Sequence, residues 1–357
     1  MTNVALVGFG YGGETIHAPL IASVPALNLH TIVTSQPDKA RSAWPGARIV
    51  ATVADALNDP EVDLVVVVTP NDLHAPLAEQ ALVAGKHVVV DKPFTVTAAE
   101  ARRLCELAED TGLLLSVFQS RRFDSDFLAV RKIIETGRLG EVGHFESRLN
   151  RYRPVVRDRW RERPGPGAGV WYDLGSHLID QALTLFGSPI GITADIASQR
   201  NAQRAPDYFH AILRYQRLRV VLHADVLTAA HDERFAVHGD RGSFLKSGID
   251  PQEAALLAGD RPGDPGWGVD PRPGVFVDGR DGSREVFVGE AGDYRRYYQG
   301  VADALRGFGP NPVRPTDAII VMEIIEAGIL SNEVRAEIQL GGGCPTTIIL
   351  SAERQLS

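Results

Sequence analysis

Hydrophobic positions in the first 120 residues come in short continuous runs: residues 3–8 (NVALVG), 29–34 (LHTIVT), 62–70 (VDLVVVVTP), 86–93 (KHVVVDKP) and 113–118 (LLLSVF). Runs of this kind, continuous rather than alternating, predict parallel strands covered on both faces. Segments with helical spacing lie between them. After Pro93 one such segment opens with Thr97 and Glu100 at the spacing of a capping box and closes at Gly112. Repetition of strand and helix predicts a doubly wound parallel sheet, the Rossmann arrangement, over residues 1–120.

Beyond residue 120 the pattern changes. A helical stretch (125–137) is followed by alternating runs at 144–149 (HFESRL), 209–215 (FHAILRY) and 218–226 (LRVVLHADV). Alternation suits an antiparallel sheet with one covered face, so residues 121–357 read as a second α/β domain. Two domains also fit 357 residues, more than one core normally serves. Residues 258–283 are rich in Gly and Pro and read as one long loop. A final helical pattern at 316–333 is expected to pack back between the domains.

Composition narrows the partners. With 44% hydrophobic and 23% charged residues the chain is an ordinary globular protein. Its net charge of −8 argues against nucleic acid. No apolar run approaches the roughly 20 residues of a membrane span. The start MTNVALVGFG lacks the basic region of a signal peptide, so a cytoplasmic location is expected. Cys105 and Cys344 form no disulfide framework; Cys105 shares an apolar helical stripe with Ala101, Leu104 and Ala108 and reads as core.

The candidate chemistry begins at Gly8-Phe9-Gly10-Tyr11-Gly12-Gly13, a G-x-G-x-x-G directly after a strand and opening a helix. Gly8 permits the tight turn, Gly10 lets backbone approach a pyrophosphate, and Gly13 allows close helix–strand packing. The second run ends Thr34-Ser35-Gln36, with Lys39 and Arg41 behind, where an NAD-preferring fold usually places an acid. Hydroxyls and cations without that carboxylate favour a 2′-phosphate, hence NADP over NAD; the alternative is that Lys39 and Arg41 are solvated helix-start residues. Thr69, Pro70, Asn71 and His74 follow the third run and should line the cofactor, as should Asp91 and Lys92.

Lys92 stands at the carboxyl end of the fourth apolar run, where open α/β sheets place ligands, and Pro93 stiffens it. Farther along, GVWYDLGSHLIDQAL (169–183) sets Asp173, His177 and Asp180 or Gln181 on one helical face. A carboxylate four residues from a histidine can orient it, and histidine titrates in the range a general base needs; a histidine satisfied within the core is the alternative.

GFGYGG, TPNDLHAPLAEQAL, GKHVVVDKPF and DLGSHLID occur here in the order and spacing of the Gfo/Idh/MocA (glucose–fructose oxidoreductase, inositol dehydrogenase) family of NAD(P)-dependent oxidoreductases, which the chain resembles over nearly its whole length. The family's usual E-K-P reads Asp91-Lys92-Pro93. The resemblance implies an N-terminal Rossmann domain, a C-terminal α/β domain with a large open, mainly antiparallel sheet that commonly forms a homodimer or homotetramer interface, and a catalytic trio of Lys92, Asp173 and His177. IHAPLIASVP, VVVDKPFTVT, SRRFDSDFL and RPVVRDRWRE are similar to the NADP-dependent scyllo-inositol dehydrogenase branch, implying a polyol or sugar substrate.

Gln119, Arg121, Arg122, Tyr152, Arg153, Trp160 and Trp171 are the expected substrate contacts beside Asp173 and His177. The run 148–163 holds seven arginines, but Asp158 and Glu162 intervene, so hydrogen bonding to a neutral polyol or contacts across subunits fit better than a polyanion site. Tyr294 and Tyr297 either close the pocket or pack. No ligand-like histidine cluster suggests a metal. The same scaffold also serves glycoside hydrolysis and sugar-responsive binding, which a substrate panel would separate from dehydrogenation.

Overall fold

The computed structural model describes residues 1–201, 203–230 and 233–341. Cys344 lies outside the described residues. Two compact units share the chain: the first takes Met1–Ala129, Ile249–Pro273 and Val288–Met322, the second the described residues of Val130–Gly248, Gly274–Phe287 and 323–341. This differs from a single division after residue 120. Buried polar ties give the reason. The Ser125 amide donates to Asp250 Oδ2 (2.6 Å), the Tyr294 amide to Gln252 Oε1 (2.7 Å), and the Tyr297 hydroxyl to Ser116 Oγ (2.8 Å). Hydrogen bonds on buried groups are costly to break, so these late segments belong with the first unit.

In the first unit six strands form one parallel sheet: β1 (Thr2–Val7), β2 (Leu27–Val33), β3 (Arg48–Val50), β4 (Leu64–Val67), β5 (His87–Asp91) and β6 (Leu115–Phe118), in the order β3-β2-β1-β4-β5-β6. The apolar runs of β1, β4 and β5 are wholly buried, as doubly covered strands must be. β3, a three-residue edge strand with no long apolar run, escapes the hydrophobic pattern. The order reverses between β1 and β4, so their carboxyl ends open the crevice where such sheets bind ligands. The helix Ala98–Thr111 carries the expected capping box of Thr97 and Glu100 and ends at Gly112 with φ 66°. Cys105 packs in the core, and its thiol is pushed up to about 12 by burial and by Glu109 and Glu106.

The second unit is built on nine strands: β7 (Val142–Arg148), β8 (Gly191–Ala197), β9 (Tyr208–Arg214), β10 (Arg219–Asp225), β11 (Glu233–Gly239), β12 (Gly242–Ser247), β13 (Gly274–Asp278), β14 (Arg284–Phe287) and β15 (Ile338–Gln339). Their order is β14-β13-β12-β11-β7-β10-β9-β8-β15, and only the β7–β10 pairing is parallel. One face carries Phe145, Phe209, Val220, Leu222, Val237 and Phe244 into the core; the other presents His144, Glu146, Arg148, His210 and His223. β13 interrupts the single loop expected over 258–283. Gly274 makes this possible, because a side chain there would meet the Phe244 ring at 2.2 Å. The helix Pro315–Val334 passes from the first unit to the second between Met322 and Glu323. Among the described residues no helix is long and apolar enough to cross a membrane.

Candidate active site

The glycine turn after β1 separates packing from binding. Gly8 has φ 103°, and a Cβ there would sit 2.2 Å from the Val68 carbonyl oxygen; a Cβ on Gly13 would sit 2.0 Å from the Gly8 carbonyl oxygen. Both positions therefore exclude side chains for reasons internal to the fold. Gly10 meets nothing within 4 Å. The open space beside it is the cradle a pyrophosphate needs, so the turn fits a dinucleotide. The following helix does not open as an α-helix: Gly12–His17 is wound as a π-helix and Ala18–Ala22 as α, and π turns concentrate at functional sites. Phe9 is buried, whereas the Tyr11 hydroxyl reaches out to donate to Glu253 Oε1 (2.7 Å).

At the tip of β2 the Thr34 hydroxyl accepts from the Gln36 amide (3.0 Å), with Ser35 exposed between them. Lys39 and Arg41 are not spare cations here. Lys39 is ion-paired with Glu14 and Arg41 with Asp38 (3.0 Å), so a 2′-phosphate would have to take them from those acids.

The end of β5 is held from several sides. Lys92 precedes Pro93 through a cis peptide bond, and its amide donates to Asp91 Oδ1 (2.8 Å). His17 lies beneath, almost fully buried, with Nε2 3.7 Å from Asp91 Oδ1, Nδ1 hydrogen-bonded to the Tyr298 hydroxyl (2.6 Å), and its ring 4.2 Å from that of Phe118. Burial alone would raise the Asp91 carboxyl, but the His17 imidazole, Lys92 and His74 outweigh it and hold the group at about 2. His74 clamps two strand ends together: Nδ1 lies 2.8 Å from the Pro93 carbonyl oxygen and Nε2 3.0 Å from that of Thr69. Pro70 and the buried Asn71 complete the β4 end. Gln119, just past β6, is buried with its Oε1 lacking a partner among the described residues, an acceptor left for something else.

Sequence reasoning missed His17 and Tyr298. His17 carried a signal, as the one ionisable residue between Ile16 and the apolar APLI of the first helix; Tyr298 had none, since only folding brings it there.

Several expected substrate contacts have other occupations. Arg121 is buried, donating to Asp124 Oδ2 (3.0 Å) and Glu253 Oε2 (3.0 Å), so its guanidinium braces the first unit. Arg122 lies 3.8 Å from Asp317. Tyr294 donates to Asp124 Oδ1 (2.7 Å), and with Tyr297 it packs inside. In the second unit Trp171 is 2% exposed; its indole N–H donates to the Ile325 carbonyl (3.0 Å) and its ring meets Phe209 at 4.9 Å. Gly175 and Gly328 stand where a Cβ would strike that ring, at 2.8 and 2.5 Å. Trp171 is thus a core anchor and not a substrate contact, because its only polar atom is spent on backbone.

Asp173 and His177 follow from this anchor. Trp171–Gly175 is a second π-helix, leading into the α-helix Ser176–Phe186, so Asp173 sits in the π segment and the buried His177 in the first α turn rather than both on one regular helix. Farther along, the buried Gln181 accepts from Arg234 (2.9 Å). Asp173 stays partly exposed, 4.0 Å from Arg151 Nη1 and 3.9 Å from Arg161 Nε, and the Arg161 guanidinium stacks over Trp160 at 4.7 Å. Arg153 shares their cleft, and Tyr152 is 57% exposed beside it. Lys92 belongs to the first unit, Asp173 and His177 to the second. Among the described residues no group of side chains could hold a metal ion.

Residues 2–119 match the family model described as an oxidoreductase family NAD-binding Rossmann fold, and residues 131–340 the C-terminal alpha/beta domain of the same family. The chain belongs to the Gfo/Idh/MocA oxidoreductase family. As a member it is an NAD(P)-dependent oxidoreductase, and the cradle at Gly10 agrees. Among its Gfo/Idh/MocA relatives, the uncharacterized oxidoreductase YdgJ of Escherichia coli is 51% identical over 94% of this chain and 98% of its own length. The NADP(+)-dependent scyllo-inositol 2-dehydrogenase IolW of Bacillus subtilis is 39% identical over 94% and 95%. A solved structure of an oxidoreductase from Bacillus cereus superposes with a TM-score of 0.88 at 30% identity, covering 96% of this chain and 99% of the other.

Proposed function

We propose that this oxidoreductase acts on a CH–OH group of an inositol-like polyol or sugar, with NADP as the preferred cofactor and NAD as the lesser one. The carrying observation is Lys92, presented at the carboxyl end of β5 between an ionised Asp91 and Pro93, on the sheet that also carries the glycine cradle. The names of two relatives support the substrate class: IolW, and an inositol 2-dehydrogenase of Rhizobium meliloti that is 29% identical over 71% of this chain. The absence of a carboxylate in Thr34-Ser35-Gln36 supports NADP.

The turn from Gly8 to Gly13, Thr34 to Gln36, Lys39, Arg41, the Thr69-Pro70-Asn71 segment, His74 and Asp91 would hold the cofactor, which when bound supplies a hydride acceptor at its nicotinamide. The chain's own residues do the rest. His177 takes the proton of the reacting hydroxyl as general base, and Asp173 binds that hydroxyl or orients the imidazole. Lys92 offsets the negative charge that grows on the oxygen, its ammonium kept beside an anionic Asp91. The reading takes Lys92, Asp173 and His177 to serve one substrate. It also includes self-association, as a homodimer or homotetramer, through the sheet of the second unit.

His177→Ala should lower kcat by roughly three orders of magnitude, the scale of a lost general base, while leaving NADP affinity nearly unchanged. Reduction of NADP and of NAD under a panel of inositols and sugars reads this directly. A near-parental rate in the variant removes His177 from the role.

A further inference from the structure

Five arginines line the cleft beside Asp173, and their charges do not cancel. Arg159 is neutralised by Glu162 (Nε to Oε1, 2.7 Å). Arg200 is held between Glu162 (3.1 Å) and Asp207 (2.7 Å). That leaves Arg151, Arg153 and Arg161 around Asp173, with Arg151 and Arg161 at 4.0 and 3.9 Å from it, too far for hydrogen bonds. Arg153 is the most isolated of the three. Among the described residues it makes no salt bridge, and burial together with Arg151, Arg159 and Arg157 depresses its ionisation, with Asp173 opposing. Three guanidinium groups about one carboxylate leave a surplus of two positive charges in this cleft.

We propose that this cleft receives an oxyanion carried by the substrate, so that the substrate is an acidic or phosphorylated polyol or sugar rather than a neutral one. This rests on the polyol-oxidation reading, and it departs from the neutral substrate that the interspersed Asp158 and Glu162 suggested. Those two acids are engaged elsewhere: Asp158 pairs with the exposed Arg163 (2.9 Å), and Glu162 with Arg159 and Arg200. Neither screens Arg153. A planar guanidinium fork recognises two oxygens of a carboxylate or phosphate at once, which a neutral hydroxyl cannot reproduce. The oxyanion would dock next to Asp173, near the hydroxyl to be oxidised.

Binding tests this without turnover. The full-length chain, alone and saturated with NADPH, is titrated calorimetrically with D-glucuronate, D-glucose 6-phosphate, D-glucose and scyllo-inositol. At least one of the two anions should bind about tenfold or more tightly than either neutral compound, with an advantage that shrinks as salt rises. Binding of the uronate alone assigns a carboxylate and of the sugar phosphate alone a phosphate; both support the proposal. Arg153→Gln should erase the advantage and Arg153→Lys retain part of it. Arg157→Gln, the same charge change at an exposed neighbour, should leave it intact. Neutral compounds binding as tightly as the anions, an advantage that survives in Arg153→Gln, or equal losses from Arg153→Gln and Arg157→Gln would each overturn the proposal. Failure of every compound to reduce NADP would instead defeat the dehydrogenase reading and leave the binding result standing.

Discussion

The end of β5 and the arginine cleft beside Asp173 both present cations, but they are built in opposite ways. At the end of β5 a half-buried Asp91 and the buried His17, His74 and Tyr298 come from four strand ends or helices and make contacts of 2.6–3.7 Å with one another and with the Lys92, Pro93 and Thr69 backbone. Beside Asp173 stand long, partly exposed arginines on one irregular stretch, Arg151 and Arg161 at 4.0 and 3.9 Å, beyond hydrogen-bond distance. The first arrangement fixes a charge in place; the second supplies charge that a ligand can organise. Reaction geometry tolerates little displacement, whereas substrate choice is a difference of affinities and can be carried by adaptable groups. On this view the end of β5 suits a group that must be held still, and the arginine cleft suits a group that adapts to what it binds.

The sharpest way to break the comparison is at the glycine turn, where both kinds of construction occur within three residues. Gly8→Ala must accommodate φ 103° and a Cβ 2.2 Å from the Val68 carbonyl oxygen. Strain of about 1–3 kcal/mol plus the clash should lower Tm by roughly 10 °C. Gly10→Ala meets no neighbour within 4 Å, so Tm should hardly move, while NADP affinity falls on the order of 100-fold as the new methyl fills the cradle. Thermal melts with nucleotide titrations check both. Equal Tm losses would mean that Gly10 is structural too and that the cradle is not a binding surface.

A smaller effect is expected at Asp91. Its carboxyl, at about 2 against an ordinary 3.8, is depressed in the folded state, so its stabilisation is present above the ordinary value and is lost as pH falls through about 2. The difference corresponds to about 2 kcal/mol near neutrality. Asp91→Asn keeps the acceptor for the Lys92 amide but removes the charge. In urea unfolding the variant should be less stable by that amount at pH 7, with the gap to the parent narrowing from pH 4 downward. A gap independent of pH would show that the imidazole of His17 does not stabilise an anion there.

Much of the first unit was legible because its signals are local. Four of the five apolar runs became central strands, and the capping box and Gly112 marked one helix to the residue. Lys92 and the glycine turn were readable for the same reason, since a strand end and its following turn are adjacent in sequence. The failures share a cause as well. Trp171 and Arg121 looked like substrate contacts by residue type, yet each had a partner more than a hundred residues away, Ile325 and Glu253, that no spacing could reveal. The return of residues 249–273 and 288–322 to the first unit depended likewise on buried ties such as Ser125 to Asp250. Both π-helices escaped because a five-residue hydrogen-bonded turn leaves no hydrophobic signature distinct from an α turn.

The smallest effect is expected at Glu14, the place where the first unit most resembles the second. Lys39 and Glu14 are both partly exposed, and their pairing occupies the cation that a 2′-phosphate would use. An exposed ion pair is worth only 0.2–1 kcal/mol, so NADP must displace a weak competitor. Glu14→Gln removes that competitor and a repulsive charge without touching the glycine turn. NADP should then bind about two- to fivefold more tightly, with NAD, which lacks the phosphate, unchanged. Fluorescence titration of both nucleotides in parallel gives the ratio. If the variant strengthens the two equally, Glu14 acts on the shared pyrophosphate end; if it strengthens neither, Lys39 is a solvated helix residue and the phosphate preference must rest on Thr34, Ser35 and Gln36.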